Sequence, residues 1–127
     1  MIVDPTNPVG PDSDGNYRKV IGEQESSGQI LAGLLPAGAR LVKAFGTLSA
    51  PTLSAAARQE PERAVQFYAA DDDAAGELVA GLIRAGGFEP VTVGGLDQSI
   101  RIEMFGDLHE YGALGRTVTR TEALKAI

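Results

Sequence analysis

The chain has 127 residues, 43% of them hydrophobic and 22% charged, which is the make-up of one globular domain with enough apolar surface for a core. The absence of Cys excludes disulfides, thiolate metal sites and cysteine nucleophiles, and a single His leaves little for imidazole ligation. A formal net charge of -6 argues against binding the phosphate backbone of nucleic acid, which calls for a basic patch.

In chain order, Met1–Asp4 predicts a strand, stopped by Pro5-Thr6-Asn7-Pro8, whose two prolines impose an extended or turning path. Residues 9–25 are rich in Gly, Pro, Asp and Asn and predict a long loop, with a tight turn at Asp14-Gly15-Asn16 and a short strand over 17–21. Ser26 is a ready N-cap for a helix on which Ile30, Leu31, Leu34 and Leu35 recur at helical spacing before Pro36 and Gly38 end it. Leu41–Phe45 predicts a second strand. Ser49, with Pro51 close behind, opens a short Ala-rich helix to about Ala57, and residues 59–63 form a charged loop. Ala64–Ala69 predicts a third strand. Asp71-Asp72-Asp73 then head a helix with an apolar stripe of Leu78, Val79, Leu82 and Ile83, closed by Gly86-Gly87. Pro90–Val93 predicts a fourth strand, and the tail carries helices near 98–104 and 121–127.

Strands alternating with helices imply an α/β fold in a single domain over 1–127: a partial Rossmann-like, mostly parallel sheet of about four strands with flanking helices. No apolar stretch approaches the roughly 20 residues of a membrane span. The N-terminus is no basic, apolar leader, so the expected location is the cytoplasm. The first strand starts at residue 1 without an element to shield it, and its open edge predicts either association with another chain, as in a homodimer, or a place within a larger domain.

Four runs occur in order: Val3-Asp4-Pro5-Thr6-Asn7-Pro8, Ser26-Ser27-Gly28, Leu41-Val42-Lys43-Ala44-Phe45-Gly46-Thr47-Leu48, and Phe67-Tyr68-Ala69-Ala70-Asp71-Asp72. Together they resemble the later part of the NADP oxidoreductases that use the deazaflavin coenzyme F-420; the membrane ferric reductases carry a similar cytoplasmic domain. The likeness continues through Gly94-Gly95-Leu96 into Leu108-His109-Glu110-Tyr111-Gly112. The resemblance implies hydride transfer, NADP(H) or deazaflavin as cofactor, and a ring lodged against Thr6, Asn7, Pro8, Lys43, Phe45, Gly46 and Thr47. The family's strand–turn–helix with G-x-G-x-x-G, whose glycines admit the pyrophosphate, is absent from this chain: Gly33, Gly38 and Gly46 are spaced as turns and caps, and Gly94-Gly95 lacks a third glycine. The resemblance therefore implies a unit incomplete without an N-terminal nucleotide-binding half or a partner chain. Gly46 departs from the Asn usual in the family's Lys-Ala-Phe-Asn-Thr run, so a contact from that side chain is lost or passes to backbone.

Thr6 and Asn7 follow the carboxyl end of a strand, where ligands bind in open α/β sheets, although Asn7 can equally form an Asx turn. Lys43 in a central strand either faces a phosphate or carboxylate or pairs with an acidic neighbour. Thr47 and Ser49 can reach a cofactor, with N-capping as the alternative for Ser49. Asp71–Asp73 read as helix-capping acids rather than a metal cluster. His109 is the only side chain that ordinarily titrates near neutral pH, a candidate acid or base beside Glu110 or Asp107, against a packing role. Arg101 and Arg116 bind an acidic ligand or are solvated charges. Phe67 and Tyr68 point to opposite faces of their strand. Besides an oxidoreductase-type domain, two further functions fit: a repurposed, cofactor-free dimer that binds a small molecule or acts as an isomerase or cyclase, and a truncated, inactive gene product.

Overall fold

A computed structural model describes residues 1–127. Four strands make the main sheet: β1 (Ile2–Asp4), β4 (Leu41–Ala44), β5 (Val65–Ala70) and β6 (Glu89–Thr92), in the spatial order β1-β4-β5-β6. Between β1 and β4 lie a hairpin, β2 (Val9–Pro11) and β3 (Tyr17–Lys19), and helix α1 (Ser27–Leu34). Helix α2 (Ala50–Ala56) follows β4, α3 (Asp73–Ala85) joins β5 to β6, a 3-10 turn (Leu96–Gln98) leads into α4 (Ser99–Ile102), and α5 (Arg120–Ala126) ends the chain.

β1 runs parallel to β4, and β5 parallel to β6, but β4 and β5 are antiparallel. In the antiparallel register Val42 lies opposite Ala70 and Ala44 opposite Tyr68, so β5 starts beside the end that β4 has just reached. The long α3 does make a full crossover, and β6 lies parallel as a βαβ unit requires.

β5 is the centre of the core, and its alternation divides the apolar residues by face. Tyr68 packs with Val42, Val79 and Ile83 in one cluster, while Phe67 packs with Val91, Ile102 and Leu108 in the other. α3 is fixed at both ends: Asp72 accepts from the Ala75 amide, and Gly87 turns the chain at φ 93°.

The stretch read as a long loop holds the β2–β3 hairpin, paired only within itself, with Gly15 at φ 82° in its turn. Asp12 stiffens that turn by accepting from the Asp14 and Asn16 amides. No helix is long and apolar enough to cross a membrane. β1 is an edge strand, and its first residue Ile2 and the preceding Met1 are exposed.

Candidate functional site

β1 and β4 end on the same side of the sheet, and the segments leaving them meet residues 103–111 there. Together with the hairpin they enclose a cavity of about 590 Å³ lined by Asn7, Val9, Tyr17, Ser49, Met104, Phe105 and Tyr111. No lining side chain is charged, and three are aromatic. A second cavity, of about 440 Å³, shares Met104 and Phe105 as a wall and carries Lys19 and Glu23 on its far side.

Asn7 holds the three segments together. Its Nδ2 donates to the Gly46 carbonyl at 2.9 Å, and its Oδ1 accepts from the Met104 amide at 2.7 Å. Gly46 permits the approach, because a Cβ there would lie 3.2 Å from the Pro5 carbonyl oxygen and 3.6 Å from Asn7 Nδ2. Phe45 and Phe105 adopt φ of 65° and 71°. For a residue with a Cβ that conformation costs about 1–2 kcal/mol, and such strain clusters at binding sites.

Below the cavity, Glu110 binds the start of α2. Its carboxylate accepts from the Ser49 amide, and the Ser49 and Thr52 hydroxyls beside it lie 3.0 Å from each other. Burial works to raise the pKa of Glu110, but the Ser49 amide and the nearby Ser49 and Thr52 hydroxyls outweigh it and hold the group below the usual carboxylate range. Ser49 occupies the N-cap position without a side-chain bond to a helix amide, its Oγ meeting Thr52 Oγ1 instead, and Glu110 binds the Ser49 amide from 61 residues away.

His109 is interior, 1% exposed, and is not a lining residue of the cavity. Its Nδ1 accepts from the Tyr111 amide at 3.0 Å, and the two rings lie 5.6 Å apart. Burial pushes the imidazole down from 6.5, only partly offset by the Gly46 backbone and the Glu110 charge, so the ring is neutral at pH 7. The acid–base candidate thus sits behind the wall, where it positions Tyr111.

Lys43 is likewise interior. Its Nζ donates to Asp4 Oδ2 at 2.9 Å, to the Thr6 carbonyl at 2.7 Å and to Ser27 Oγ at 3.0 Å, and it lies 4.0 Å from Glu103 Oε2. Burial would raise the Asp4 carboxyl, but hydrogen bonds from the Thr6 hydroxyl, Lys43 and the Thr6 amide bring it below its ordinary value. Glu103 accepts from Ser26 Oγ and from the amides of Ser27 and Gly28. The N-terminus of α1, the sort of place that binds phosphate in other proteins, is therefore closed by the chain's own carboxylate.

Of the residues expected to reach a cofactor, Asn7 and Ser49 line the cavity. Thr6 braces Asp4 through its amide and hydroxyl, Pro8 is buried and accepts from the Val20 amide, and Thr47 donates to Gln66 Oε1 in the interior. Phe45 packs on the core and Gly46 supplies backbone. Tyr17, Met104, Phe105 and Tyr111 were not among the expected contacts; of these only Tyr111 lay in a quoted motif, beside His109. Arg101 is paired with Asp107, and Arg116 with Glu122. Asp71 accepts from the Leu96 amide and Asp72 caps α3, and no group of three or more His, Cys, Asp or Glu side chains is placed to hold a metal ion.

No protein-family model and no curated protein matches the chain. Solved structures do. A hypothetical protein from Sinorhizobium meliloti is 28% identical with a TM-score of 0.73, over 93% of this chain and 54% of that one. A protein from Arthrobacter sp. FB24, named as a candidate F-420-dependent NADP-reductase, is 23% identical with a TM-score of 0.64, over 76% of this chain and 43% of that one. The chain spans about half the length of these structures. What it shares with them is a Rossmann-like α/β fold.

Proposed function

We propose that this chain is the ring-binding part of an NAD(P)- or deazaflavin-linked oxidoreductase unit. The observation that carries the reading is the uncharged, aromatic-walled cavity at the carboxyl ends of two parallel strands in a Rossmann-like fold. Its volume of about 590 Å³ falls in the range typical of small-molecule sites. Tyr17, Phe105 and Tyr111 offer flat apolar faces to a planar ring, and Val9 and Met104 exclude water around it. The remainder of a dinucleotide does not fit: the chain has no glycine cradle, and Glu103 already takes the amides at the start of α1. Bound here, a nicotinamide or deazaflavin ring would supply hydride transfer. The chain's own residues need only orient that ring and keep it dry, which suits a cavity with no titratable acid or base beyond two tyrosines.

The test is fluorescence titration of the purified chain with 8-hydroxy-5-deazariboflavin, reduced nicotinamide riboside and NADPH. The ring compounds are expected to bind, with NADPH within about threefold of the riboside because its phosphates find no donors. Phe105→Ala or Tyr111→Ala should weaken ring binding about tenfold, the scale of one aromatic stacking contact. No binding of any of the three at millimolar concentration, or NADPH preferred more than about tenfold, overturns the reading. The lack of a phosphate cradle also favours a second reading, a cofactor-free site for another aromatic small molecule. Binding of ring compounds without any hydride transfer, when the chain is supplied with both redox partners, selects it.

A further inference from the structure

We propose that His109 is a proton switch on the ring site: the neutral imidazole holds Tyr111 in the cavity wall, and a proton taken up at Nδ1 releases that wall, so that bound rings leave as the pH falls. The proposal rests on the ring-site reading above and adds the regulation of that site.

The hydrogen bond itself assigns the proton. A backbone N–H can only donate, and the Tyr111 amide donates to Nδ1 at 3.0 Å, so Nδ1 carries a lone pair and the ring is in its neutral form. An imidazolium has no such lone pair. Protonation sets Nδ1–H against the Tyr111 N–H, two donors without an acceptor, at a side chain that is 1% exposed. Within the turn from His109 to Gly112 one other bond then remains, from the Gly112 amide to the His109 carbonyl at 2.9 Å. The turn cannot yield toward Gly106, because a Cβ on Gly112 would already fall 1.7 Å from the Gly106 carbonyl oxygen. Relief is therefore outward, and it takes Tyr111, a lining residue, out of the wall.

The surroundings of the imidazole keep the switch within reach of mild acid. Burial opposes its charge, while the Gly46 backbone and the Glu110 carboxylate favour it. Glu110 is bound to the start of α2 through the Ser49 amide, and it stays ionised between pH 5 and 7 because its own pKa is held low. Asp107, two residues before His109, is paired with Arg101. The segment leaving β4 presents Gly46 and Thr47, which do not titrate, and the phenol of Tyr111 is uncharged in this range. His109 is the chain's single imidazole, the one side chain whose charge ordinarily changes there. Ring binding that requires the neutral form weakens by up to about tenfold for each pH unit below the point at which the free chain takes up the proton.

The probe is riboflavin, which offers a tricyclic ring and has no group that titrates between pH 5 and 7. Fluorescence titration of the full chain should give a Kd at pH 5 about threefold or more above that at pH 7, with an unchanged circular dichroism spectrum. Linkage requires the reciprocal effect: the imidazole signal of the single His, followed by NMR, should titrate at lower pH when the chain is saturated with riboflavin. His109→Asn places a carbonyl acceptor two bonds from Cβ, as Nδ1 is, and cannot titrate. It should bind at both pH values as the parent does at pH 7. His109→Leu offers no acceptor and should bind at both as weakly as the parent at pH 5. Equal parent affinities at the two pH values overturn the inference and leave the ring site standing. So does a pH dependence that persists in His109→Asn, or an imidazole titration that riboflavin does not move. Absence of riboflavin binding at pH 7 overturns the ring site, and this inference with it.

Discussion

Replacing Lys43 with Met removes the one cation from a buried group of three charges. Lys43, Asp4 and Glu103 are 2%, 5% and 1% exposed. Glu103 keeps three donors after the substitution, from Ser26, Ser27 and Gly28. Asp4 keeps the Thr6 amide and hydroxyl on Oδ1, but Oδ2 loses its only partner. Removing one partner of a buried ion pair costs about 3–5 kcal/mol. With unfolding entropy near 2.1 cal/mol/K per residue, 127 residues give about 0.27 kcal/mol/K, so Tm should fall by about 11–19 °C. Asp4→Asn is the milder change. Lys43 then still donates to the Thr6 carbonyl and Ser27 Oγ and still faces Glu103, so the expected loss is about 1–2 kcal/mol. The double substitution should cost less than the two single ones together, because neither charge is left alone. Thermal melts followed by circular dichroism at pH 7, with urea titrations for the free energies, measure all three. A Lys43→Met loss under 1 kcal/mol, or an Asp4→Asn loss larger than that of Lys43→Met, would refute the account of Lys43 as the charge that holds β1 to β4.

Gly112→Ala should lose about 3 kcal/mol or more and distort the cavity wall, since the added Cβ would fall 1.7 Å from the Gly106 carbonyl oxygen, which is backbone and cannot step aside. Gly81→Ala, within α3 and with nothing within 4 Å of the new Cβ, should gain about 0.5–1 kcal/mol; a loss there would show that the helix face is covered. For His109, burial lowers the folded-state value below 6.5, so the unfolded chain binds the extra proton more readily. Its contribution is therefore complete above pH 6.5 and is lost as pH falls below that, by at most about 1.4 kcal/mol per pH unit. Asp4 and Glu110 are also depressed, from 3.8 and 4.5, so their contributions are lost only in a lower window, below about pH 4.5. Urea midpoints of His109→Gln between pH 5 and 7 should be flat where those of the parent chain fall, while both proteins weaken below pH 4.5. Equal slopes for the two proteins between pH 5 and 7 would mean that the imidazole is already charged in the fold.

The order of elements was legible because each is marked locally. Ser26 and Asp72 cap their helices with their own side chains, Gly86-Gly87 stops α3, and β5 is apolar except for Gln66 because both of its faces are covered. The antiparallel step between β4 and β5 was not legible from motifs, since local signals mark which elements occur and not the direction in which the connection between them returns. Lys43 shows the same limit at a single residue. Asp4 and Lys43 are register partners on neighbouring strands, so their pairing becomes evident only once β1 is known to lie beside β4. Glu103 joins them from α4, at a distance of 60 residues, with no local sign that it would.

Local pattern reading located one part of the cavity, Asn7, because the rule that ligands gather at the carboxyl ends of strands is topological and β1 obeys it. The other walls come from the hairpin and from residues 103–111, whose course is set by close backbone contacts. Gly106 and Gly112 lie against each other, and Phe105 is held at φ 71° between them and Asn7's partner Met104. Such contacts have no periodicity. The same holds at Ser49, where N-cap preference identified the position but not the acceptor. The Glu110 carboxylate that accepts from the Ser49 amide lies 61 residues away, while Ser49 Oγ meets Thr52 Oγ1 within the first turn of α2 at 3.0 Å. The first of these contacts exists only because residues 103–111 fold back on the start of α2, and no local signal in either segment announces that approach.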